Sequence, residues 1–231
     1  MILWYDHPHG KSNFGDELSR LLLPALDVDI TLTDDPRKAE LVAIGGNLEM
    51  LLPSQQTIVV GTGFIQDGSK IPKVNWDIRL IRGKLSAKRL GWKGPLGDPA
   101  VLAPMLLKNN PKVKWPLGII PHVHGDENFK QFTPKGAKYI DLTKDPITIL
   151  KEIASCEAVA SSSVHGWLVA VALGIPAKRF ELGPTPGGDY RWEDVCSGLD
   201  LKTPTTSDPF FTADLSKHQK RIRKILESLK K

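Results

Sequence analysis

The stretch Glu157–Pro176, "EAVASSSVHGWLVAVALGIP", holds three serines, then a histidine and a glycine, between two apolar runs. The first run, Ala158 to Ala160, has the length of a buried strand. The second, Trp167 to Leu173, is long enough to read as a buried helix. A strand that passes through a polar turn into a helix is the unit of an α/β fold. A plain connector needs one capping serine, so the surplus of polar residues asks for a second explanation. Serine hydroxyls and free backbone amides at a helix start form a site for an anion. A histidine in the first turn, His165, can donate a hydrogen bond to that anion or act as a general acid.

The same alternation runs outward in both directions. Before it, short apolar runs predict strands over 2–5, 28–32, 41–44, 57–60 and 78–81, with helices over 16–23 and 85–90. The segment "LLKNNPKVKWP" (106–116), with two Asn, two Pro and three Lys, reads as a boundary. After it, strands are expected over 117–120, 138–142, 158–160 and 179–182, and helices over 147–155, 167–173 and 191–197. The expectation is an α/β chain of two Rossmann-like, doubly wound domains, 1–108 and 109–231, facing a cleft.

Composition narrows the class. Of 231 residues, 41% are hydrophobic, as in ordinary globular proteins, and no apolar run reaches the length of a membrane span. The start, "MILWYDHPHG", lacks the basic region and apolar run of a signal peptide. The two cysteines, Cys156 and Cys196, form neither a disulfide framework nor a CxxC, which reads as a reducing, cytoplasmic setting. The net charge of +5 is local: seven of the 31 basic residues and two of the 26 acids lie in 214–231, leaving 24 of each sign elsewhere. That segment has Leu215, Ile222, Ile225, Leu226 and Leu229 at helical spacing. It predicts an amphipathic C-terminal helix with a wet basic face, and a candidate peripheral contact with the inner face of an anionic membrane. No aromatic residue is interleaved with the basic run, so nucleic acid is not an expected partner.

Ligands of doubly wound sheets bind beyond the carboxyl ends of the strands. The loop after the first strand, "DHPHGKSNFGDELS" (6–19), brings together His7, His9, Asn13 and Asp16, with Asp16 placed to cap the following helix. Gly45 to Asn47 follow the third strand and "GTGF" (61–64) the fourth. Arg82, at the end of the fifth, suits bidentate binding of a carboxylate or phosphate. Asp98 before Pro99 reads as a helix cap. "IIPHVHGDEN" (119–128) sets His122 directly after a strand. No HExxH or other metal spacing occurs.

The order "NFGDELS", "IGGN", "GTGF", "IRGKLSAKRLG…GDPAVLAP", "IPHVHGDEN", "IASCEAVASSSVHGWLVAVALGIP" and "RWEDVCSGL", from about residue 10 to about residue 200, resembles the polysaccharide pyruvyltransferase family. The resemblance implies a GT-B-like fold, with an acceptor-side first domain and a donor-side second one. It implies transfer of the carboxyethylidene unit of phosphoenolpyruvate to a sugar of a cell-surface polysaccharide or its lipid-linked precursor. Phosphoenolpyruvate is then a co-substrate, and no cofactor or metal is expected. By the same resemblance His165 is the general acid. Asp16 is the first candidate base and His122 the second. Arg82 and Ser161 to Ser163 bind the donor, while His9, Asn13 and Asn47 face the acceptor. Ser163 stands where many members carry arginine, and the missing charge is to come from Arg191, Arg179 or Lys84. The competing readings are a GT-B glycosyltransferase with a nucleotide-sugar donor, which needs an acid such as Glu181 or Asp189 at the ribose, and a non-catalytic glycan-binding relative.

Overall fold

A computed structural model describes residues 1–4, 13–71, 73–109, 111–122, 130–131, 133–182 and 185–230. The first half contains β1 (Ile2–Trp4), α1 (Phe14–Ala25), β2 (Thr31–Thr33), β3 (Leu41–Val42), β4 (Ile58–Val60), β5 (Asp77–Leu80) and α2 (Lys84–Leu90). A 3₁₀ helix, Pro99–Leu106, leads out of it. The second half contains β6 (Gly118–Ile120), β7 (Lys138–Tyr139), α3 (Pro146–Ala154), β8 (Val159–Ser161), α4 (Val164–Ala172), β9 (Ala177–Arg179) and α5 (Gly188–Gly198). The last element is α6 (Ser216–Glu227).

The strands form two sheets, in the orders β2-β1-β3-β4-β5 and β7-β6-β8-β9, and every pairing between them is parallel. In both sheets the second strand lies on one side of the first, and the chain then crosses back to the other side. The order therefore reverses between β1 and β3, and again between β6 and β8. Loops leaving the two strands at such a point diverge to opposite faces and leave a crevice.

Parallel strands need cover on both faces, and the side-chain alternation shows it. Leu41, Val60 and Leu80 belong to one buried cluster, while their neighbours Val42, Val59 and Ile81 belong to a second on the opposite face. The first cluster continues without a break through Ile120, Val159 and Ala177 of the second sheet, so the two halves share one core. Between them lie α1, α4 and the 3₁₀ helix, which pack on one another. At the centre Trp167 of α4 is fully buried, edge-on to Trp192 (centroids 5.8 Å apart) and stacked with Phe211 (5.9 Å).

Several elements shift from their sequence-based bounds, for local reasons. The run from Val28 begins no strand at once. α1 extends to Ala25, and the Val28 amide closes on the Leu23 carbonyl, so Leu26 and Val28 pack under the helix end. In the second half the strand at 177–179 precedes its expected place, since Ala177 pairs with both Val159 and Phe211. α6 buries Ile222 and Leu226 and exposes Lys217, Lys220, Arg223 and Lys224. Its Gln219 Nε2 donates to the Val101 carbonyl at 2.9 Å, and its Arg221 Nη2 donates to that of Leu96 at 2.6 Å. No helix among the described residues is long and apolar enough to cross a membrane.

Candidate functional site

Both topological switch points open onto one pocket. Asn13 and Asp16 come from the segment after β1, and Gly45, Gly46 and Asn47 from the loop after β3. His122 follows β6, and Ser163, Val164 and His165 follow β8. Ile65, Arg82, Pro186, Arg191 and Val195 complete the lining of a cavity of about 190 Å³. That is below the roughly 300–1,000 Å³ of sites for drug-sized ligands, and fits a small molecule.

The three serines have three separate jobs. Ser161 Oγ accepts from the Ser163 amide (3.0 Å) and donates to the Ser163 carbonyl (2.8 Å), which ties the turn. Ser162 Oγ accepts the His122 amide (2.8 Å) and so fixes the loop after β6. Ser163 Oγ caps α4 by accepting the Gly166 amide (3.4 Å) and is the one serine of the three that lines the pocket. An anion at this helix start would thus meet Ser163 and the positive end of α4, with Ser161 and Ser162 behind it.

His165 stands in the first turn of α4, its side chain 17% exposed. Its ring packs against α1: a Cβ built on Gly15 would come within 2.1 Å of Nδ1. The glycine of "NFGD" is therefore the seat of the imidazole. The helix cap in that motif is Asn13, whose Oδ1 accepts the Gly15 amide (3.3 Å), and not Asp16. Asn13 Nδ2 donates to Asp16 Oδ2 at 2.7 Å, so the amide both starts the helix and orients the carboxylate.

Arg191 supplies the pocket with a cation. Its Nη2 lies 3.2 Å from His122 Nε2. A guanidinium only donates, so Nε2 of His122 accepts, and the lone pair that would serve as a base there is engaged. The Arg191 Nε is buried and has no hydrogen-bond partner among the described residues. Burial, with the like charge of Arg82 next in weight, pulls its pKa down from the ordinary 12.5 to about 10, while Asp16 opposes the shift. A buried cation held beside a like charge gains from any anion that enters.

Arg82 is almost wholly buried and committed within the protein. Nε pairs with Asp194 Oδ2 (2.9 Å), Nη1 donates to the Gly45 carbonyl (3.0 Å) and Nη2 to that of Phe64 (2.5 Å). Asp194 in turn accepts the Ser86 amide and hydroxyl (2.9 and 2.6 Å), and Ser197 Oγ accepts the Lys84 amide (2.9 Å). The start of α2 is thus capped from α5, more than a hundred residues on, because Gly83 has no side chain to do it. A Cβ on Gly83 would meet the Asp194 carbonyl oxygen at 1.6 Å, and one on Gly198 the Arg82 carbonyl oxygen at 1.9 Å. The segments "IRGKLS" and "RWEDVCSGL" are the two sides of this junction, and Arg82 reaches the pocket only as part of its wall.

Among the arginines and lysine expected to replace the missing charge, the structure brings Arg191 alone to the pocket lining. Lys84 is exposed and 3.9 Å from Asp200. Arg179 pairs with Glu181 and Asp189 and lies over the Trp192 ring, at the edge of two other surface cavities. Asn47 lines the site, its Nδ2 bonded to the Ile44 carbonyl (3.2 Å). His9 lies outside the described residues. Sequence reasoning missed the second side of Asp98, which lies 3.2 Å from His165 Nε2 while it caps the 3₁₀ helix. Its position beyond the fifth strand was the available signal. Among the described residues no group of three or more His, Cys, Asp or Glu is placed to hold a metal ion.

Fold and site together define an α/β protein with two parallel sheets and a small polar pocket at their paired switch points. The fold resembles the crystal structure of a functionally uncharacterized protein from Klebsiella pneumoniae (TM-score 0.51, 12% identity, 92% of each chain). No family model matches the chain. The succinoglycan biosynthesis protein ExoV of Rhizobium meliloti is 29% identical over 214 residues, 85% of this chain and 64% of that one. The uncharacterized protein L143 of Acanthamoeba polyphaga mimivirus is 29% identical over 159 residues, 62% of this chain. The chain spans 55% of that viral relative, so it matches less than two thirds of either.

Proposed function

We propose that this chain is a GT-B-like pyruvyltransferase that moves the carboxyethylidene group of phosphoenolpyruvate to a saccharide of a polysaccharide or of its lipid-linked precursor. The observation that carries this reading is the meeting of α4's N-terminus, His165, Arg191 and the Asn13–Asp16 pair in one cavity of about 190 Å³. Two supports stand beside it: the ordered motifs of the sequence, and a relative named for succinoglycan biosynthesis.

In this reading the donor phosphate lies at the start of α4, against Ser163, and Arg191 takes the place of the arginine absent at position 163. His165 delivers a proton to the methylene carbon. The positive charge that develops at the middle carbon is attacked by a sugar hydroxyl, whose proton goes to Asp16. A neighbouring hydroxyl then attacks the same carbon, the C–O bond to phosphate breaks, and inorganic phosphate leaves with the second hydroxyl's proton as the ketal closes. A nucleotide-sugar donor fits less well, because the cavity is small and Glu181 and Asp189 are both held by Arg179.

The test is phosphate release from phosphoenolpyruvate, with and without oligosaccharide acceptors that include the succinoglycan repeat unit. Acceptor-dependent release that disappears in His165→Ala is the expected result. In Arg191→Ala, calorimetry should show phosphoenolpyruvate bound about 10- to 150-fold more weakly, the size of one charge-assisted hydrogen bond. Full turnover in His165→Ala, or tighter binding of a nucleotide sugar than of phosphoenolpyruvate, refutes the reading.

A further inference from the structure

Asp98 is fully buried, and its two oxygens have different duties. Oδ1 accepts the Ala100 amide at 2.9 Å and starts the 3₁₀ helix. Oδ2 faces His165 Nε2 at 3.2 Å, across 67 residues of sequence. A buried carboxylate oxygen opposite a bare nitrogen lone pair would be repelled and left unsatisfied. Nε2 therefore carries a proton and donates it to Asp98. The other ring nitrogen, Nδ1, lies along Gly15 in the first turn of α1, beside the pocket residues Asn13 and Asp16.

We propose that Asp98 is a positioning residue: it holds His165 in the Nε2–H form, so that proton exchange with a bound substrate runs through Nδ1. The proton added at Nδ1 makes an imidazolium whose charge faces Asp98, and its transfer to substrate returns the neutral Nε2–H ring. Gly15 below and Asp98 behind fix the plane of the ring, which sets the direction of transfer. The role of His165 as proton donor rests on the proposed pyruvyl transfer; the tautomer does not.

The experiment measures the two separately. Histidine ¹⁵N resonances of the intact chain report the tautomer, with no substrate present. The wild type should show an Nε2–H pattern at His165, with a hydrogen-bonded, exchange-protected proton. Asp98→Asn keeps an oxygen for the Ala100 amide, so the 3₁₀ helix keeps its cap. It turns an NH₂ towards His165, which should reverse the pattern to Nδ1–H. In turnover of phosphoenolpyruvate, kcat should fall by about 10⁴-fold, the loss that accompanies the wrong tautomer in a Ser-His-Asp triad, with KM within a few-fold of wild type. An Nδ1–H pattern in the wild type overturns the proposal, even if Asp98→Asn fails to fold. So does a folded Asp98→Asn variant with unchanged kcat in an active enzyme. A wild-type Nε2–H pattern in a chain that never turns over phosphoenolpyruvate supports the tautomer that Asp98 imposes and sinks the pyruvyl-transfer reading, and with it the direction of proton transfer.

Discussion

Gly15→Ala should separate the stability of α1 from the placement of His165. The new methyl carbon would lie 2.1 Å from Nδ1 and 2.8 Å from Cε1 and Cγ of the imidazole. Ordinary contact begins near 3.4 Å, so the ring must withdraw by about 1.3 Å or the helix must shift. Two effects oppose each other in the folding free energy. Alanine is preferred to glycine within a helix by about 1 kcal/mol, and overpacking costs about 1–3 kcal/mol. The net should be a loss of about 0–2 kcal/mol, small enough for the fold to persist. Catalysis has no such compensation: a displacement of 1 Å in a reacting group costs about 10²-fold. Urea denaturation gives the first quantity, and phosphate release from phosphoenolpyruvate the second. Histidine NMR spectra report the ring directly. A variant with wild-type turnover and unchanged His165 resonances would refute the reasoning, since the ring could not then rest on Gly15.

Two further outcomes follow from buried groups. Asp194→Ala leaves the Arg82 charge without its ion-pair partner in the interior and removes the acceptor of the Ser86 amide at the start of α2, so stability should fall by about 3–5 kcal/mol. At roughly 2–4 °C per kcal/mol for a chain of this size, thermal denaturation should show the midpoint drop by about 6–20 °C; a drop below 2 °C contradicts the junction. Burial pushes the Cys156 thiol up to about 11 and the Cys196 thiol up to about 12, since each thiolate would be stripped of water. A raised folded value means a contribution to stability that is whole below the ordinary value of 9.0 and is lost as pH rises from there through about 11. At pH 8 a thiol reagent should leave the native chain unmodified and label two thiols after denaturation, and fast labelling of the native chain would contradict their burial.

Much of the fold was legible because it depends on local pattern. Short apolar runs alternating with helical periodicity identify parallel α/β structure wherever they occur, and Ser163 and Asp98 sit at helix starts because capping is a matter of neighbouring backbone, although in the first loop the cap is Asn13 and not the expected Asp16. What was hidden is mostly a matter of contacts distant in sequence. Arg82 at the end of an interior strand reads as a charge that must face something. That it faces Asp194, 112 residues on, depends on α5 lying against α2, which glycines at 83 and 198 allow. The strand expected over 28–32 starts only at Thr31 for the converse reason: Val28 answers to the end of α1, a demand that the run itself does not display.

The stretch "SSSVHG" divides along the same line. By itself it determined a strand passing into a helix, a serine cap and a histidine in the first turn, since each follows from residues within four positions of one another. Only the tertiary structure decided that Ser161 ties its own turn, that Ser162 holds the loop of His122, and that Ser163 faces the pocket. It also decided that Arg191 lines the same pocket as Ser163, and that His165 rests between Gly15 and Asp98. A hydroxyl or a ring nitrogen can take several partners, and the sequence sets only that capacity. Which partner it takes depends on the groups that the folded chain brings within about 3 Å.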